Sequence, residues 1–425
     1  MKDIRKIVLI IPPAPFLLDQ KRNCPLGILY VASVLEKNNY DVEIADLRDV
    51  EEGAWPEKIP TSCIYGITAT TPEYNLALKV ARLIKSTSDA CIILGGAHAT
   101  TLPEAVDPVF DKVVVGEGEA AILEVLADLE KNVKKKFYRC QRIDDLDSIP
   151  FPARHILPFN SVFNDKLVEP GVFATTIITS RGCSFNCAFC SCPTIWGRAV
   201  RFRSSNNIID ELRQVIDVYG VKEFRFHDDT LGVNRERVDD LCKKLEPLGI
   251  RWRANSRVDI MDYEMIKAMK RGGCVEIDFG IESISQQVMD VNNKGVTLDH
   301  IYKALEYVKK AGMSVRLFFI IGLPGEEENF ADRIIEFCRK TGPDAIDIAT
   351  FVPFPGSDIY RNPSKYGIKI ISTNFDNYIF TMGLGEGETE RGFVWENAAL
   401  KSDVLKAERK KIFDFVQKNK LVLNR

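Results

Sequence analysis

Short apolar runs that alternate with helix-period stretches are the feature that most limits how this chain can fold. In the first third of the sequence, five β-branched or apolar runs occur at residues 7–11, 42–45, 63–67, 91–94 and 113–115. Between these runs, apolar residues recur every three or four positions, as in residues 28–35, which is typical of amphipathic helices. Because strands that alternate with helices pair in parallel, the pattern predicts a doubly wound α/β sheet.

The same alternation resumes after residue 170. Strand-like runs occur at 175–179, 223–227, 251–258, 276–282, 315–322 and 345–352, with helical stretches at 207–219, 235–246 and 298–311. Six strand–helix units again indicate a parallel α/β fold. We therefore predict a first domain at 1–140, a proline-rich linker at 141–170, a second domain at 171–357, and a carboxyl-terminal region at 358–425 with a helix over 397–418.

Three cysteines, Cys183, Cys187 and Cys190, directly follow the first strand of the second domain with the spacing Cys-x3-Cys-x2-Cys. One helical face cannot carry all three sulfurs at this spacing, whereas a loop around a [4Fe–4S] cluster can. Three thiolates leave the fourth iron open to bind a substrate or cofactor. The spacing also leaves open a zinc site with Cys192 as fourth ligand, although such sites usually combine two separated Cys-x2-Cys pairs.

Charge and cysteine content narrow the partners and the compartment. The chain has 57 basic and 60 acidic residues and a formal net charge of −3, which argues against a nucleic-acid partner. Eleven cysteines without a secretory leader indicate a reducing cytoplasm. No uninterrupted apolar run approaches membrane-spanning length, so we expect a soluble cytoplasmic protein.

Beyond the cysteine spacing, two segments around the cysteines resemble a known family. The segments Ser180-Arg-Gly-Cys183 through Thr194-Ile-Trp-Gly197 and Arg201-Phe-Arg-Ser204 resemble the radical S-adenosylmethionine (SAM) enzymes that also bind cobalamin, in particular the class B methyltransferases. This resemblance implies that the three cysteines bind a [4Fe–4S] cluster rather than zinc. It also implies that the second domain is an open, partial (βα)6 barrel.

In the first domain, Pro25-Leu-Gly-Ile-Leu-Tyr30, Gly95-Gly-x-His98 and Gly116-Glu-Gly-Glu119 look like the cobalamin-binding domain of that family, which is Rossmann-like or flavodoxin-like. The carboxyl ends of strands in such a sheet form the usual ligand crevice. The candidate cobalamin residues at these ends are Thr68, Thr70, Thr71, Gly95, Gly96, His98, Gly116 and Glu117. The Asp-x-His-x-x-Gly motif that supplies an imidazole to cobalt is missing, so we expect cobalamin without a protein histidine beneath cobalt and interpret His98 as a turn residue near the corrin.

Polar residues follow the strands of the second domain, where charges rarely serve packing. By resemblance, Asp228 and Asp229 meet the ammonium group of SAM, and Arg257 meets its carboxylate. Glu282 and Ser283 lie on the ribose side, and residues 320–325, including Ile320 and Gly322, form the adenine edge. Phe189 shields the cluster, packs on adenine, or is simply buried in the core. For each polar residue the alternative interpretation is an ion pair that closes the rim of the barrel.

These residues together predict an enzyme with a [4Fe–4S] cluster, SAM and cobalamin. It would cleave SAM reductively to a 5′-deoxyadenosyl radical and methylate an unactivated carbon. A cobalamin-dependent oxidation, ring contraction or cyclisation is the alternative. A non-catalytic iron–sulfur electron carrier or redox-responsive protein is a third interpretation, from a different class. We expect a small-molecule or lipid substrate rather than a peptide, and an electron donor such as flavodoxin or ferredoxin.

Overall fold

A computed structural model describes residues 5–379, 393–397, 400–419 and 421. The chain forms two compact units. The first comprises residues up to Asn164, together with Thr194–Gly197 and Arg201–Arg203, and the second comprises Asp165–Pro193, Arg198–Val200 and the residues from Ser204 onward. The functional bounds 1–140, 141–170, 171–357 and 358–425 stay a prediction, and residues 380–392, 398, 399, 420 and 422–425 of the last region lie outside the described residues.

The first unit is built on a six-stranded parallel sheet. Its strands are β1 (Lys6–Ile11), β2 (Asp41–Asp46), β3 (Ile64–Thr68), β4 (Cys91–Gly95), β5 (Lys112–Val115) and β6 (Phe137–Arg139). They lie in the order β2-β1-β3-β4-β5-β6, and every adjacent pair is parallel. The order of the first five strands is that of the flavodoxin-like sheet, so the predicted doubly wound fold is confirmed.

Helices cover this sheet and bury the stripes that the sequence predicts. They are α1 (Leu26–Lys37), α2 (Trp55–Lys58), α3 (Tyr74–Thr87), α4 (Ala97–Thr101), α5 (Gly118–Glu130) and α6 (Phe159–Val162). In α1, Ile28, Ala32 and Leu35 are buried. Since β1 is buried from Ile7 to Ile11, the sheet has helices on both faces, which explains its continuous apolar sequence.

The second unit contains a second six-stranded parallel sheet. In chain order the further strands are β7 (Ala174–Ile177), β8 (Ser180–Arg181), β9 (Arg201–Phe202), β10 (Glu223–Leu231), β11 (Arg251–Ser256), β12 (Cys274–Glu282), β13 (Ser314–Ile321), β14 (Ala345–Thr350), β15 (Ile368–Ile370) and β16 (Trp395–Asn397). The sheet has the order β14-β13-β12-β11-β10-β7, and all its pairs are parallel. Because the order follows the chain from edge to edge, the sheet is the predicted open barrel of six strand–helix units.

The helices after the first unit connect these strands and close the carboxyl-terminal part. They are α7 (Cys192–Trp196), α8 (Ser205–Tyr219), α9 (Arg235–Leu245), α10 (Tyr263–Arg271), α11 (Gln286–Val291), α12 (Leu298–Lys310), α13 (Phe330–Thr341), α14 (Asp358–Arg361) and α15 (Ser402–Lys418). The last helix starts at Ser402, five positions after the predicted start at residue 397. No helix in the described part of the chain is both long and apolar enough to cross a lipid bilayer.

Ion pairs between side chains of adjacent strands stabilise the second sheet. Glu276 on β12 accepts hydrogen bonds from Arg253 on β11 (3.0 Å) and from Arg316 on β13 (3.2 Å). Arg316 also donates to Asp347 on β14 (3.2 Å). Four neighbouring strands are therefore linked by buried charges whose hydrogen bonds are made within the protein.

Candidate functional site

The cysteine loop lies at the carboxyl end of the first strand of the second sheet, as predicted. It begins at Gly182, whose φ of 99° suits only glycine, and it ends where α7 begins. Two backbone hydrogen bonds hold the middle of the loop, one from the Ala188 N–H to the Asn292 carbonyl (2.8 Å) and one from the Ile359 N–H to the Ala188 carbonyl (3.1 Å). Cys183, Cys187 and Cys190 are all partly exposed.

The three thiols lie in different electrostatic surroundings. A hydrogen bond with the Cys192 thiol, assisted by Thr230 and the charge of Arg257, lowers the pKa of Cys183 to about 5. Burial raises the pKa of Cys190 to about 12. Burial also raises the pKa of Cys187, although the charges of Lys294 and Arg257 oppose it.

This donor set fits an anionic iron–sulfur cluster. Three partly exposed thiols share one loop, two cations lie near Cys187, and the Cys192 N–H donates to the Cys190 sulfur (3.4 Å). N–H groups and cations near ligand sulfurs stabilise the negative charge of such clusters. Within the described residues, no group of three or more His, Cys, Asp or Glu side chains is arranged to hold a single metal ion, but a four-iron cluster needs its thiolates farther apart than one ion does.

A break in strand pairing places the two aspartates at the end of β10. The register between β10 and β11 shifts between Phe226 and Leu231, and such irregularities redirect side chains. Asp228 is 1% exposed and accepts hydrogen bonds from the Thr179 N–H (2.6 Å), the Thr179 hydroxyl (2.5 Å) and the Ser180 hydroxyl (2.5 Å). It therefore fixes the residues that lead into the cysteine loop.

Asp229, by contrast, is exposed. It accepts hydrogen bonds from the Gly182 N–H (3.1 Å) and from the Cys192 thiol. Surrounding protein nevertheless excludes much of the water from its carboxylate and raises its pKa to about 6. Of the two carboxylates, Asp229 is the one open to a ligand. The role of both aspartates toward SAM stays a prediction.

Glu282 and Ser283 follow a second break, at the end of β12. The register shifts between Gly280 and Glu282, and Glu282 has a φ of 63°, which is uncommon for a residue other than glycine. Its carboxylate lies 2.9 Å from the Lys294 ammonium. An ion pair of this kind is what the alternative interpretation, an ion pair that closes the rim of the barrel, expects. A Cβ at Gly280 would lie 2.6 Å from the Glu282 carboxylate, so a larger residue there would displace that side chain.

The predicted adenine edge follows β13. Ile320 is buried and Gly322 has a φ of 81°. A Cβ on Gly322 would meet Leu405 of α15 at 3.1 Å and Trp395 of β16 at 3.3 Å. The carboxyl-terminal elements therefore cover this strand end. Phe189 is partly exposed within the cysteine loop, and Arg257, the predicted partner of the SAM carboxylate, is buried beside Cys187.

In the first unit, the ends of β3, β4 and β5 meet. The Ala69 N–H donates to the Gly95 carbonyl (3.1 Å), and the Gly116 N–H donates to the Thr100 hydroxyl (3.0 Å). Gly96 has a φ of 95°, and a Cβ there would lie 2.8 Å from the Ala69 carbonyl oxygen. The structure thus brings the predicted Thr68–Thr71, Gly95–Gly96 and Gly116 segments together at the carboxyl edge of the sheet. Their binding of cobalamin stays a prediction.

Two of the predicted cobalamin residues are engaged inside the protein. His98 is 0% exposed, stacks on Tyr74 with ring centroids 3.9 Å apart, and has a pKa lowered to about 4 by burial. Glu117 is buried and accepts hydrogen bonds from the Ile143 N–H (2.8 Å) and from Arg201 (2.6 Å). Both side chains make packing or ion-pair contacts where they lie.

Sequence reasoning missed three residues that contact or neighbour the cysteines. The Thr230 hydroxyl lies 3.4 Å from the Cys183 sulfur, the Phe185 ring lies under the guanidinium of Arg257, and Lys294 acts on Cys187 through its charge. Phe185 lies between Cys183 and Cys187 in the sequence, so its position within the motif could have identified it. Lys294 stands in an unremarkable loop after α11 and has no motif that could have identified it.

Comparison with known proteins covers both units. Residues 177–338 match the family model of the radical SAM superfamily, and residues 22–126 match that of the B12 binding domain. An uncharacterized methyltransferase of Pyrococcus horikoshii is 33% identical over an alignment of 387 positions, gaps included, that covers 84% of this chain and 83% of the relative. Cytidylyl-2-hydroxyethylphosphonate methyltransferase of Streptomyces wedmorensis is 26% identical over an alignment of 445 positions, gaps included, that covers 85% of this chain and 82% of that protein.

The fold also has a solved counterpart. The radical SAM methyltransferase TsrM from Kitasatospora setae, solved with cobalamin and a [4Fe–4S] cluster bound, superposes with a TM-score of 0.73 at 14% identity. The superposition covers 99% of this chain and 91% of TsrM, so the likeness extends over the fold of both units. Together with the matching family models and the relative from Pyrococcus, it places this chain in the radical SAM enzymes that carry an amino-terminal B12-binding domain.

Proposed function

We propose that this protein is a cobalamin-dependent radical SAM methyltransferase that methylates an unactivated carbon of a small molecule or lipid. The observation that carries the proposal is the loop of three thiols at the carboxyl edge of an open six-stranded barrel, in a chain that also has a B12-binding domain. The two relatives described above are named methyltransferases, which supports methyl transfer as the outcome.

Cys183, Cys187 and Cys190 would hold a [4Fe–4S] cluster through three of its irons. When bound, the cluster supplies the electron that cleaves SAM, and cobalamin carries the methyl group. Asp229 is open to accept a hydrogen bond from the SAM ammonium group, whereas Asp228 holds Thr179 and Ser180 beneath the loop. This division of labour refines the prediction that both carboxylates meet the ammonium.

Other predicted SAM residues would bind the rest of the cofactor. Glu282 and Ser283 offer oxygen acceptors to the ribose hydroxyls, and the backbone beside Ile320 and Gly322 offers an edge to adenine. Because Leu405 and Trp395 pack against Gly322, the carboxyl-terminal elements help to exclude water from this edge. Phe189 adds an apolar surface within the cysteine loop.

The first unit would bind cobalamin at the strand ends that carry Thr68–Thr71, Gly95, Gly96 and Gly116. Glycines there let the backbone approach a large planar ligand closely. A buried, stacked and neutral His98 suits packing beside the corrin and not ligation of cobalt. An electron donor such as flavodoxin or ferredoxin and a location in the cytoplasm complete the proposal.

The test is an anaerobic assay with SAM that carries a trideuterated methyl group. The reconstituted enzyme, loaded with cobalamin, is mixed with a reductant and a small-molecule extract, and the products are analysed by mass spectrometry. We expect 5′-deoxyadenosine, S-adenosylhomocysteine, and a new product that carries the label. 5′-Deoxyadenosine without S-adenosylhomocysteine or label would indicate oxidation, ring contraction or cyclisation instead. Failure to form 5′-deoxyadenosine with a full cluster would favour an electron carrier.

A further inference from the structure

Resting on the proposed function, we infer that Arg257 positions the cysteine loop and raises the reduction potential of a cluster bound there. This role is separate from the predicted contact of Arg257 with the SAM carboxylate. It requires a guanidinium that is held rigidly, that contacts the loop directly, and that brings its charge to a ligand sulfur. The contacts of Arg257 meet all three requirements.

The guanidinium of Arg257 is held on one side by Asp259 and Lys294. Its Nε and Nη2 atoms donate to the two carboxylate oxygens of Asp259, both at 2.9 Å, and Nη2 also donates to the Lys294 carbonyl (2.6 Å). Arg257 is 5% exposed. A bidentate pair with a third hydrogen bond fixes both the position and the plane of the guanidinium.

The other side of the same guanidinium contacts the cysteine loop at two points. Nη1 donates to the Cys187 sulfur at 3.5 Å, and the guanidinium carbon lies 3.6 Å from the centre of the Phe185 ring. Phe185 and Cys187 are two residues apart, so one rigid group defines the path of the loop between the first and second cysteines. The cation–π contact adds attraction that a neutral side chain would not supply.

These contacts leave room for a second role. An arginine has five N–H donors, and the hydrogen bonds described above use one on Nε, two on Nη2 and one on Nη1. The second N–H of Nη1 is beside the one that contacts Cys187. A SAM carboxylate could accept from it without displacing Asp259, Lys294 or Cys187.

The expected effect on the cluster follows from charge. One-electron reduction adds a negative charge to the cluster, and a cation or an N–H donor at a ligand sulfur stabilises that charge. Arg257 supplies both at Cys187. Lys294 contributes charge nearby, but its ammonium is paired with Glu282 at 2.9 Å. Loss of the arginine charge should therefore lower the reduction potential of the cluster.

The experiment measures the potential of the full-length protein with its cluster reconstituted and with no SAM added. Variants Arg257→Gln and Arg257→Lys are titrated with dithionite and followed by electron paramagnetic resonance. For Arg257→Gln we expect the reduced-to-oxidised ratio at a fixed solution potential to fall about tenfold, equivalent to about 59 mV for a one-electron couple. Arg257→Lys keeps the positive charge but loses the bidentate geometry of the guanidinium. Its cluster should have a reduction potential between those of the wild type and Arg257→Gln.

Arg333→Gln is the matched control. Arg333 lies in the same unit, and its guanidinium pairs with the carboxylates of Glu326 (3.4 Å) and Glu327 (3.8 Å) and not with a cysteine sulfur, so its loss should leave the potential unchanged. Phe185→Leu removes the aromatic contact without a change of charge. It should lower the iron content per protein and leave the reduction potential of the clusters that do form close to that of the wild type. This variant keeps the positioning role testable if Arg257→Gln fails to take up a cluster.

A wild-type potential in Arg257→Gln with full cluster content would overturn the inference. If that variant bound SAM more weakly as well, Arg257 would act on the SAM carboxylate alone. Because the measurement needs a cluster but no substrate, no cobalamin and no methyl transfer, its failure is distinguishable from failure of the proposed function. Absence of any cluster in the wild type would instead contradict the proposed function.

Discussion

At the scale of single residues, the four cysteines of the loop region differ in what they contact. The Cys183 sulfur lies 3.4 Å from the Thr230 hydroxyl, and the Cys187 sulfur accepts from Arg257. Cys192 is buried and contributes its backbone N–H to the Cys190 sulfur. The first three thiols are therefore the candidates for iron. Cys192 supports Cys190 through a backbone N–H that a side-chain substitution retains, and it contacts Cys183 through a thiol that such a substitution removes.

We predict that alanine at Cys183, Cys187 or Cys190 reduces 5′-deoxyadenosine formation to background, because each loss opens a second iron of the cluster. Cys192→Ala should keep its iron and sulfide, since the N–H donor to Cys190 persists. Iron analysis and product quantification of the four variants after anaerobic reconstitution check this. A loss of iron in Cys192→Ala together with full iron in Cys187→Ala would show that the ligand assignment is wrong.

His98 gives a second prediction at this scale. Because its ring is buried against Tyr74 and its Nδ1 lies 3.4 Å from the Thr71 hydroxyl, we expect it to pack beneath the strand ends and not to ligate cobalt. The cob(II)alamin form of the wild type should show no nitrogen splitting in its electron paramagnetic resonance spectrum. His98→Ala should retain cobalamin with the same spectrum. Splitting that is present in the wild type and lost in His98→Ala would contradict this.

At the scale of elements, the charges within the second sheet link strands that the backbone ladder already pairs. Burial alone would raise the pKa of Glu276, but the charges of Arg316 and Arg253 outweigh it and hold the pKa below its ordinary 4.5. Both arginine side chains are almost fully buried. Removal of the carboxylate leaves these charges without their shared partner, and an uncompensated buried charge is costly.

We therefore expect Glu276→Gln to lower the free energy of unfolding by about 3 kcal/mol at neutral pH. A folded-state pKa below the unfolded one means that the stabilisation is complete above about pH 4.5 and is lost as pH falls through the folded pKa. The difference in free energy of unfolding between wild type and Glu276→Gln should accordingly become smaller as the pH falls. Denaturant unfolding followed by circular dichroism at several pH values measures it.

Glu264→Gln is the control for this experiment, because Glu264 forms an exposed ion pair with Lys267 at 3.2 Å. Exposed pairs contribute little, so a change of no more than about 0.5 kcal/mol is expected. Equal destabilisation by the two substitutions, or a Glu276 effect that grows in acid, would show that the buried network does not act as described.

At the scale of the whole molecule, the two units carry separate proposed tasks. The thiols lie in the second unit, and the strand ends proposed for cobalamin lie in the first. We predict that the cluster-loaded full-length protein without cobalamin still forms 5′-deoxyadenosine from SAM, whereas S-adenosylhomocysteine forms only after cobalamin is added. Mass spectrometry of paired reactions checks both products. Equal S-adenosylhomocysteine formation with and without cobalamin would contradict the assignment of tasks.

Strands were the part of the fold that could be predicted most fully from the sequence. A strand of a parallel sheet that is covered on both faces needs a continuous apolar run, and such runs mark β1, β3 and β13 within one or two residues of their observed ends. β6 escaped prediction because it has three residues and only Tyr138 is buried. The irregularities in β10 and β12 also left no signal, since a register shift depends on how neighbouring strands pair.

For the site, the sequence by itself determined the positions of the three thiols proposed as cluster ligands, the two α/β folds and the polar strand ends, because spacing and alternation are local properties of the chain. Only the tertiary structure decided which of these side chains are accessible to a ligand. It buried Asp228 under Thr179 and Ser180 while it left Asp229 exposed, and it placed Arg257 and Lys294 beside Cys187. These outcomes depend on hydrogen bonds and charges between residues far apart in sequence, whose distances are set by strand order and packing and not by any local pattern.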